Sequence, residues 1–148
     1  MTELIIFAGL QAAGKSTYYR HHFAATHVLV SKDLMKNVRD REARQQQMID
    51  EALGAGKSVV IDNTNPTPLV RLPLIAAARR HGARIIGYFF QVPVQLAVER
   101  NRMREGKARV PDVAIYSTSR KLVAPNLEEG FDEIHVVAAP QPNGEEHS

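Results

Sequence analysis

The sequence predicts a single α/β domain: a mostly parallel five-stranded sheet, helices on both faces and a small helical lid. Three observations lead there. Short apolar runs alternate with longer amphipathic segments along the 148 residues. Those runs are continuous rather than alternating, as strands buried on both faces must be. A glycine-rich loop follows the first run directly. No internal repeat or long linker divides the chain, and its length suits one domain.

Leu4-Ile5-Ile6-Phe7-Ala8 reads as a fully buried first strand, and residues 15–25 as a helix. Val28–Val30 is a second strand, stopping abruptly at Ser31-Lys32-Asp33. Residues 34–55 carry apolar side chains at helical spacing and end at Gly54 and Gly56. Ser58–Ile61 is a third strand closed by Asp62. Residues 67–81 form a helix with Thr67 as its cap and Pro68 at its first position, expected to kink or restart at Pro73. Gly82 ends it, and Arg84–Val92 is a fourth strand. Helices over 94–104 and about 112–123 flank a basic link, and a fifth strand lies near Glu133–Val137. The expected domain is 1–138, with the lid at about 100–124 and a disordered Pro-, Gly- and Glu-rich tail over 139–148.

Composition excludes several chemistries. There is no Cys, hence no disulfide, no Cys-based zinc site and no thiol nucleophile, which fits a reducing cytoplasm. No apolar run approaches the ~20 residues that span a bilayer, and the start lacks the basic region of a signal peptide, so no membrane partner is expected. A net charge of +3 suits a polyanionic partner.

Gly9–Thr17, GLQAAGKST, satisfies G-x-x-x-x-G-K-S/T between a strand and a helix, the context that motif needs. Glycines at Gly9 and Gly14 permit backbone geometry that converges N–H groups on phosphates, and the helix N-terminus points there too. Gly9, Ala12, Ala13, Gly14, Lys15, Ser16 and Thr17 form the nucleotide-binding set of a P-loop NTPase kinase fold. Lys15 reaches the β- and γ-phosphates, and Ser16 ligates Mg²⁺. The chain therefore reads as a nucleoside-triphosphate user.

Ligands of open α/β sheets sit beyond the carboxyl ends of the strands, and Asp33 and Asp62 lie at two such ends. Asp62 closes an apolar strand as a metal-assisting carboxylate does. Behind it, Asn63, Thr64 and Asn65 suit ligand contact, although Thr64 or Asn65 also fits a helix cap. Asp33 alone fits a cap as well as a general base; beside a phosphate loop, a base that accepts the acceptor's proton is the stronger reading. Arg102 and Arg104 head the basic lid segment, and at i, i+2 only one of them faces the phosphates. His21, His22 and His27 have no metal-ligand spacing, and Gln45-Gln46-Gln47 reads as a solvated helix face.

Together GLQAAGKST, LVSKD, VVIDNTNP, RNRMRE, VPDVAIY and APNLEEGFDEI resemble, in order and spacing, the 5′-kinase domain of polynucleotide kinase/phosphatases over roughly residues 3–137. The resemblance implies ATP and Mg²⁺ held by Lys15 and Ser16, and Asp33 as general base on the 5′-hydroxyl end of DNA or RNA. It also implies Asp62 in the metal and acceptor region and a lid Arg on phosphate. An Arg commonly precedes the base in that family; Lys32 here offers acceptor phosphate a point charge instead of a bidentate fork. It further implies a stand-alone kinase module without phosphatase activity. Two other functions compete: a kinase of a small alcohol, nucleoside or tRNA-linked substrate, and a nucleotide-binding switch or ATPase without an acceptor. Against the switch, there is no N/T-K-x-D guanine-reading motif.

Overall fold

The computed structural model describes residues 1–139; most of the expected disordered tail lies outside the described residues. Five strands, β1 (Glu3–Gly9), β2 (His27–Val30), β3 (Ser58–Asp62), β4 (Arg84–Gln91) and β5 (Glu133–Ala138), form one sheet in the order β2-β3-β1-β4-β5. Every pairing is parallel, so the expected mostly parallel sheet is entirely so. The central strand shows why its apolar run is unbroken. Leu4 and Ile6 face one core with Ile49, Leu53, Ile61 and Leu74, while Ile5 and Phe7 face a second with Val60, Phe90, Val98 and Ile115.

The first core lies under α2 (Arg41–Gly54) and α3 (Pro68–Arg80), the second under α1 (Lys15–His22), α4 (Val94–Arg102) and α5 (Asp112–Lys121). Two helices are shorter than predicted by three residues or more. The amides of Thr26 and His27 turn back to Phe23 O, ending α1 early. The segment predicted as helix from residue 34 begins instead with a 3-10 turn, Lys32–Leu34, capped by Ser31. Asn37 then takes φ 60°, and Asp40 caps α2 by accepting from Ala43 N. Local side-chain-to-backbone bonds thus outcompete helical continuation. Thr67 caps α3 as predicted, but the helix runs unbroken through Pro73. The bond that Pro73 cannot donate would have gone to residue 69 in the first turn, where Leu69 is 78% exposed and water can reach the freed carbonyl.

One buried ion pair joins distant segments. Arg71 is fully buried; its Nε and Nη2 reach Glu129 Oε1 and Oε2 at 2.9 and 2.8 Å, and Nη1 donates to Asn65 O at 2.8 Å. Glu129 belongs to the APNLEEGF segment, so that motif serves to neutralise a guanidinium under the β3–α3 loop. Glu129→Ala is expected to cost about 3–5 kcal/mol, because it leaves a buried charge unpaired. Denaturant melts will check this, and a loss below about 1 kcal/mol would mean the guanidinium escapes to water.

Candidate active site

Because all strands run the same way, the phosphate loop after β1, Ser31-Lys32-Asp33 after β2 and Asp62 at the end of β3 open on one edge of the sheet. In the loop, Gly14 takes φ 95° and Ala12 φ 63°; the latter costs an alanine roughly 1–2 kcal/mol. Gly9 is required for a different reason than the one predicted. A Cβ there would lie 2.9 Å from Phe90 Cβ, so packing against β4, not φ, demands glycine. Gln11 Nε2 donates to Thr118 Oγ1 at 3.1 Å, tying the loop to α5.

Lys15 is folded back over its own loop, donating from Nζ to Gly9 O at 2.9 Å and Leu10 O at 2.6 Å. It is 7% exposed. Burial lowers its pKa to about 8; Asp62 opposes that, Arg104 adds to it and Asp33 opposes it again. Ser16 Oγ donates to Asp62 Oδ2 at 2.8 Å. Burial pushes the Asp62 carboxyl above the usual carboxylate range, while the Ser16 hydroxyl and Lys15 draw it back. A hydroxyl and a carboxylate oxygen side by side are oxygen donors of the kind Mg²⁺ takes. That ion takes few protein oxygens and keeps its other positions for phosphate and water.

Asp33 is exposed in the 3-10 turn beyond β2, and both Lys15 and Asp62 sense its charge. The cap positions nearby belong to Ser31 and Asp40, which leaves the Asp33 carboxylate free of capping duty. Lys32, expected at acceptor phosphate, pairs its ammonium with Glu42 on α2. Asn63 and Asn65, expected at substrate, are both engaged within the protein. Asn63 accepts from Lys32 N and donates to Gln45. Asn65 is 3% exposed, takes φ 41° and donates from Nδ2 to Phe7 O at 2.7 Å. Together with Gly9 N donating to Thr64 O, that bond fixes the root of the phosphate loop.

Of the two lid arginines, Arg104 is brought to the loop and its charge acts on Lys15 and Asp62. Arg102 instead donates to Asp112 Oδ2 at 2.9 Å on the exposed outer side. Arg100 joins Arg104 in lining a cavity of about 510 Å³ with Ala12, Gly14, Thr17, Tyr18 and His22. Arg104 lies beyond the end of α4, so helical spacing does not relate it to Arg100, and only the folded chain brings the two to one cavity. The basic link between α4 and α5 is clasped: buried Asn101 donates to Val110 O at 2.6 Å and accepts from Val110 N at 3.0 Å. Gln45, read as part of a solvated run, is 3% exposed. Only the pairing of α2 with the strand tips could reveal that.

Residues 4–125 match a family model, AAA_33, described as an AAA domain, which covers most of the chain including the phosphate loop, both strand-end carboxylates and the lid. The chain belongs to this family. It is 29% identical over 142 residues to a protein from Acanthamoeba polyphaga mimivirus provisionally named a bifunctional polynucleotide phosphatase/kinase. It is 30% identical over 139 residues to the bifunctional polynucleotide phosphatase/kinase of Schizosaccharomyces pombe. Each match takes in 91% of this chain and 33% of the relative, so the chain spans about a third of the length of the curated relatives it matches. Among solved structures, a sugar kinase from Janibacter superposes with a TM-score of 0.69 at 17% identity, over 96% of this chain and 88% of that one. The fold is that of P-loop kinases, as the sequence predicted, and the resemblance to polynucleotide kinases is shared by the named relatives.

Proposed function

We propose that this AAA_33 domain is an ATP- and Mg²⁺-dependent phosphotransferase acting on the 5′-hydroxyl end of DNA or RNA. The observation that carries it is an exposed carboxylate without a capping role, Asp33, on the sheet edge that also carries the phosphate loop, with its charge acting on both Lys15 and Asp62. The names of the two curated relatives support a polynucleotide acceptor over a sugar, and the basic lid suits it.

In this reading the loop amides and the N-terminus of α1 cradle the triphosphate, and Lys15 leaves the carbonyls of Gly9 and Leu10 for the β- and γ-phosphate oxygens. Ser16 and Asp62 would hold Mg²⁺, which neutralises developing phosphate charge when bound. Asp33 accepts the proton of the acceptor hydroxyl as its oxygen bonds to the γ-phosphorus. The bond from that phosphorus to the bridging oxygen breaks, and ADP leaves with its electron pair. Arg100 and Arg104 stabilise charge on the transferring group.

Incubation with γ-labelled ATP, Mg²⁺ and 5′-hydroxyl oligonucleotides, alongside nucleosides and sugars, tests the proposal. Label on nucleosides or sugars but never on oligonucleotides would sink it. Arg104→Ala and Arg100→Ala are each expected to slow transfer on the order of a hundredfold, whereas Arg102→Ala leaves it near normal. Equal losses at all three positions would show that the lid rearranges beyond the arrangement described.

Lys15 also sets a pH dependence. Its pKa of about 8 in the free protein lies below its unperturbed 10.5, so above pH 8 the nucleotide-free protein has lost the charge a triphosphate needs. ATP affinity is expected to be level below about pH 8. Above it, affinity falls by up to about tenfold per pH unit, with proton uptake on binding. Calorimetry in buffers of different ionisation enthalpy measures both, and Lys15→Arg is expected to flatten the profile.

A further inference from the structure

We infer that Gln45, acting through Asn63, is a positioning residue for Asp33; this rests on the reading of Asp33 as the proton acceptor. The main-chain ladder between β2 and β3 ends at the pair Val30–Ile61. Continued in the same register, Ser31 stands beside Asp62 and Lys32 beside Asn63. At that second rung a side chain replaces the main chain: Lys32 N donates to Asn63 Oδ1 at 2.9 Å. The Asn63 amide is in turn oriented by α2, its Nδ2 donating to Gln45 Oε1 at 2.8 Å.

Gln45 is 3% exposed and sits on the helix face that buries Ile49, Ala52 and Leu53. With so little water in reach, Asn63 is the partner that satisfies its carbonyl. One turn earlier on the same face, Glu42 holds the ammonium of Lys32. Lys32 is thereby fixed at its main chain and at its side chain by groups that α2 carries or orients. Asp33 is the next residue, and its own N–H is held by Ser31 Oγ at 3.3 Å. Two successive amides fixed by side chains set the peptide that carries the carboxylate. They set it relative to Asp62, the residue adjoining Asn63. The chain Gln45–Asn63–Lys32 therefore fixes the distance between the proton acceptor and the metal-side carboxylate, a distance on which in-line transfer depends.

The test is a double-mutant cycle on transfer kinetics with 5′-hydroxyl oligonucleotides. Gln45→Met keeps the length and removes the acceptor oxygen; Asn63→Ala removes the middle link at a half-buried position. Each is expected to lower kcat about 10- to 100-fold with KM for ATP and for the oligonucleotide unchanged. The double variant should be no slower than Asn63→Ala alone, because both changes break one chain. Gln45→Glu, which keeps an accepting oxygen, restores most of the rate, and Gln47→Ala, on the exposed face, has no effect.

Wild-type kcat in Gln45→Met, or losses that multiply in the double variant, overturns the inference. A raised oligonucleotide KM with unchanged kcat in Asn63→Ala also overturns it, since that marks direct substrate contact. Should Gln45→Met fail to bind ATP and so to fold, the kcat-against-KM split of Asn63→Ala decides by itself. Failure of the underlying reading is distinguishable: normal transfer in Asp33→Asn removes the base, and the positioning role with it. Slow transfer in Asp33→Asn beside normal transfer in Gln45→Met removes the positioning role alone.

Discussion

An Asp33→Asn variant is expected to bind ATP normally and to transfer phosphate about two to four orders of magnitude more slowly, the range for a positioned proton acceptor. The substitution is nearly isosteric and keeps the main-chain bond from Asp33 N to Ser31 Oγ. It removes only the carboxylate's basicity. The two caps in this stretch are Ser31 and Asp40, so the variant should melt near the wild-type temperature. A cap lost from Asp33 would instead cost about 1 kcal/mol of stability with little effect on rate. Transfer kinetics and a thermal melt on the same preparation separate the two outcomes. Near-normal transfer would return Asp33 to a purely local role.

Lys15→Ala is the second large effect. ATP turnover is expected to fall on the order of a thousandfold, since on the proposed reading the loop loses the ammonium that would reach the β- and γ-phosphates. Stability should move differently. Burial lowers the Lys15 pKa to about 8, so the folded chain disfavours the charged form that predominates at pH 7. Removing a buried cation that donates to Gly9 O and Leu10 O relieves that cost, and the nucleotide-free melting temperature is expected not to fall. Loss of function without loss of stability marks a residue kept for its ligand. Intact ATP turnover in Lys15→Ala would mean that the phosphate loop has been misassigned.

The strands and the phosphate loop were legible because their signals are local. An unbroken apolar run such as Leu4–Ala8 has few uses other than a strand covered on both faces. A loop that binds phosphate through its own backbone must carry its glycines in fixed places. Helix starts were less legible. Residues 34–40 hold helical spacing, yet Ser31 and Asp40 divert the backbone into a 3-10 turn and a later start. Asn65 and Arg71 were illegible for a different reason. Both are polar residues buried by partners, Phe7 O for one and Glu129 for the other, that lie 58 positions away. Sequence spacing carries no trace of such a pairing.

By itself, then, the sequence determined that this is a parallel α/β domain with a nucleotide loop, and that two carboxylates end the strands beside it. Periodicity and glycine placement act over a few residues, and the sheet's single direction carries the rest to one edge. Only the tertiary structure decided how that edge is held: Gly9 by the approach of β4, Arg100 over Arg102 by the lid's facing, and Asn63 by a buried Gln45. These are choices among polar groups whose partners are far apart along the chain, and burial of an unpaired polar group costs too much for any but the folded arrangement to settle them.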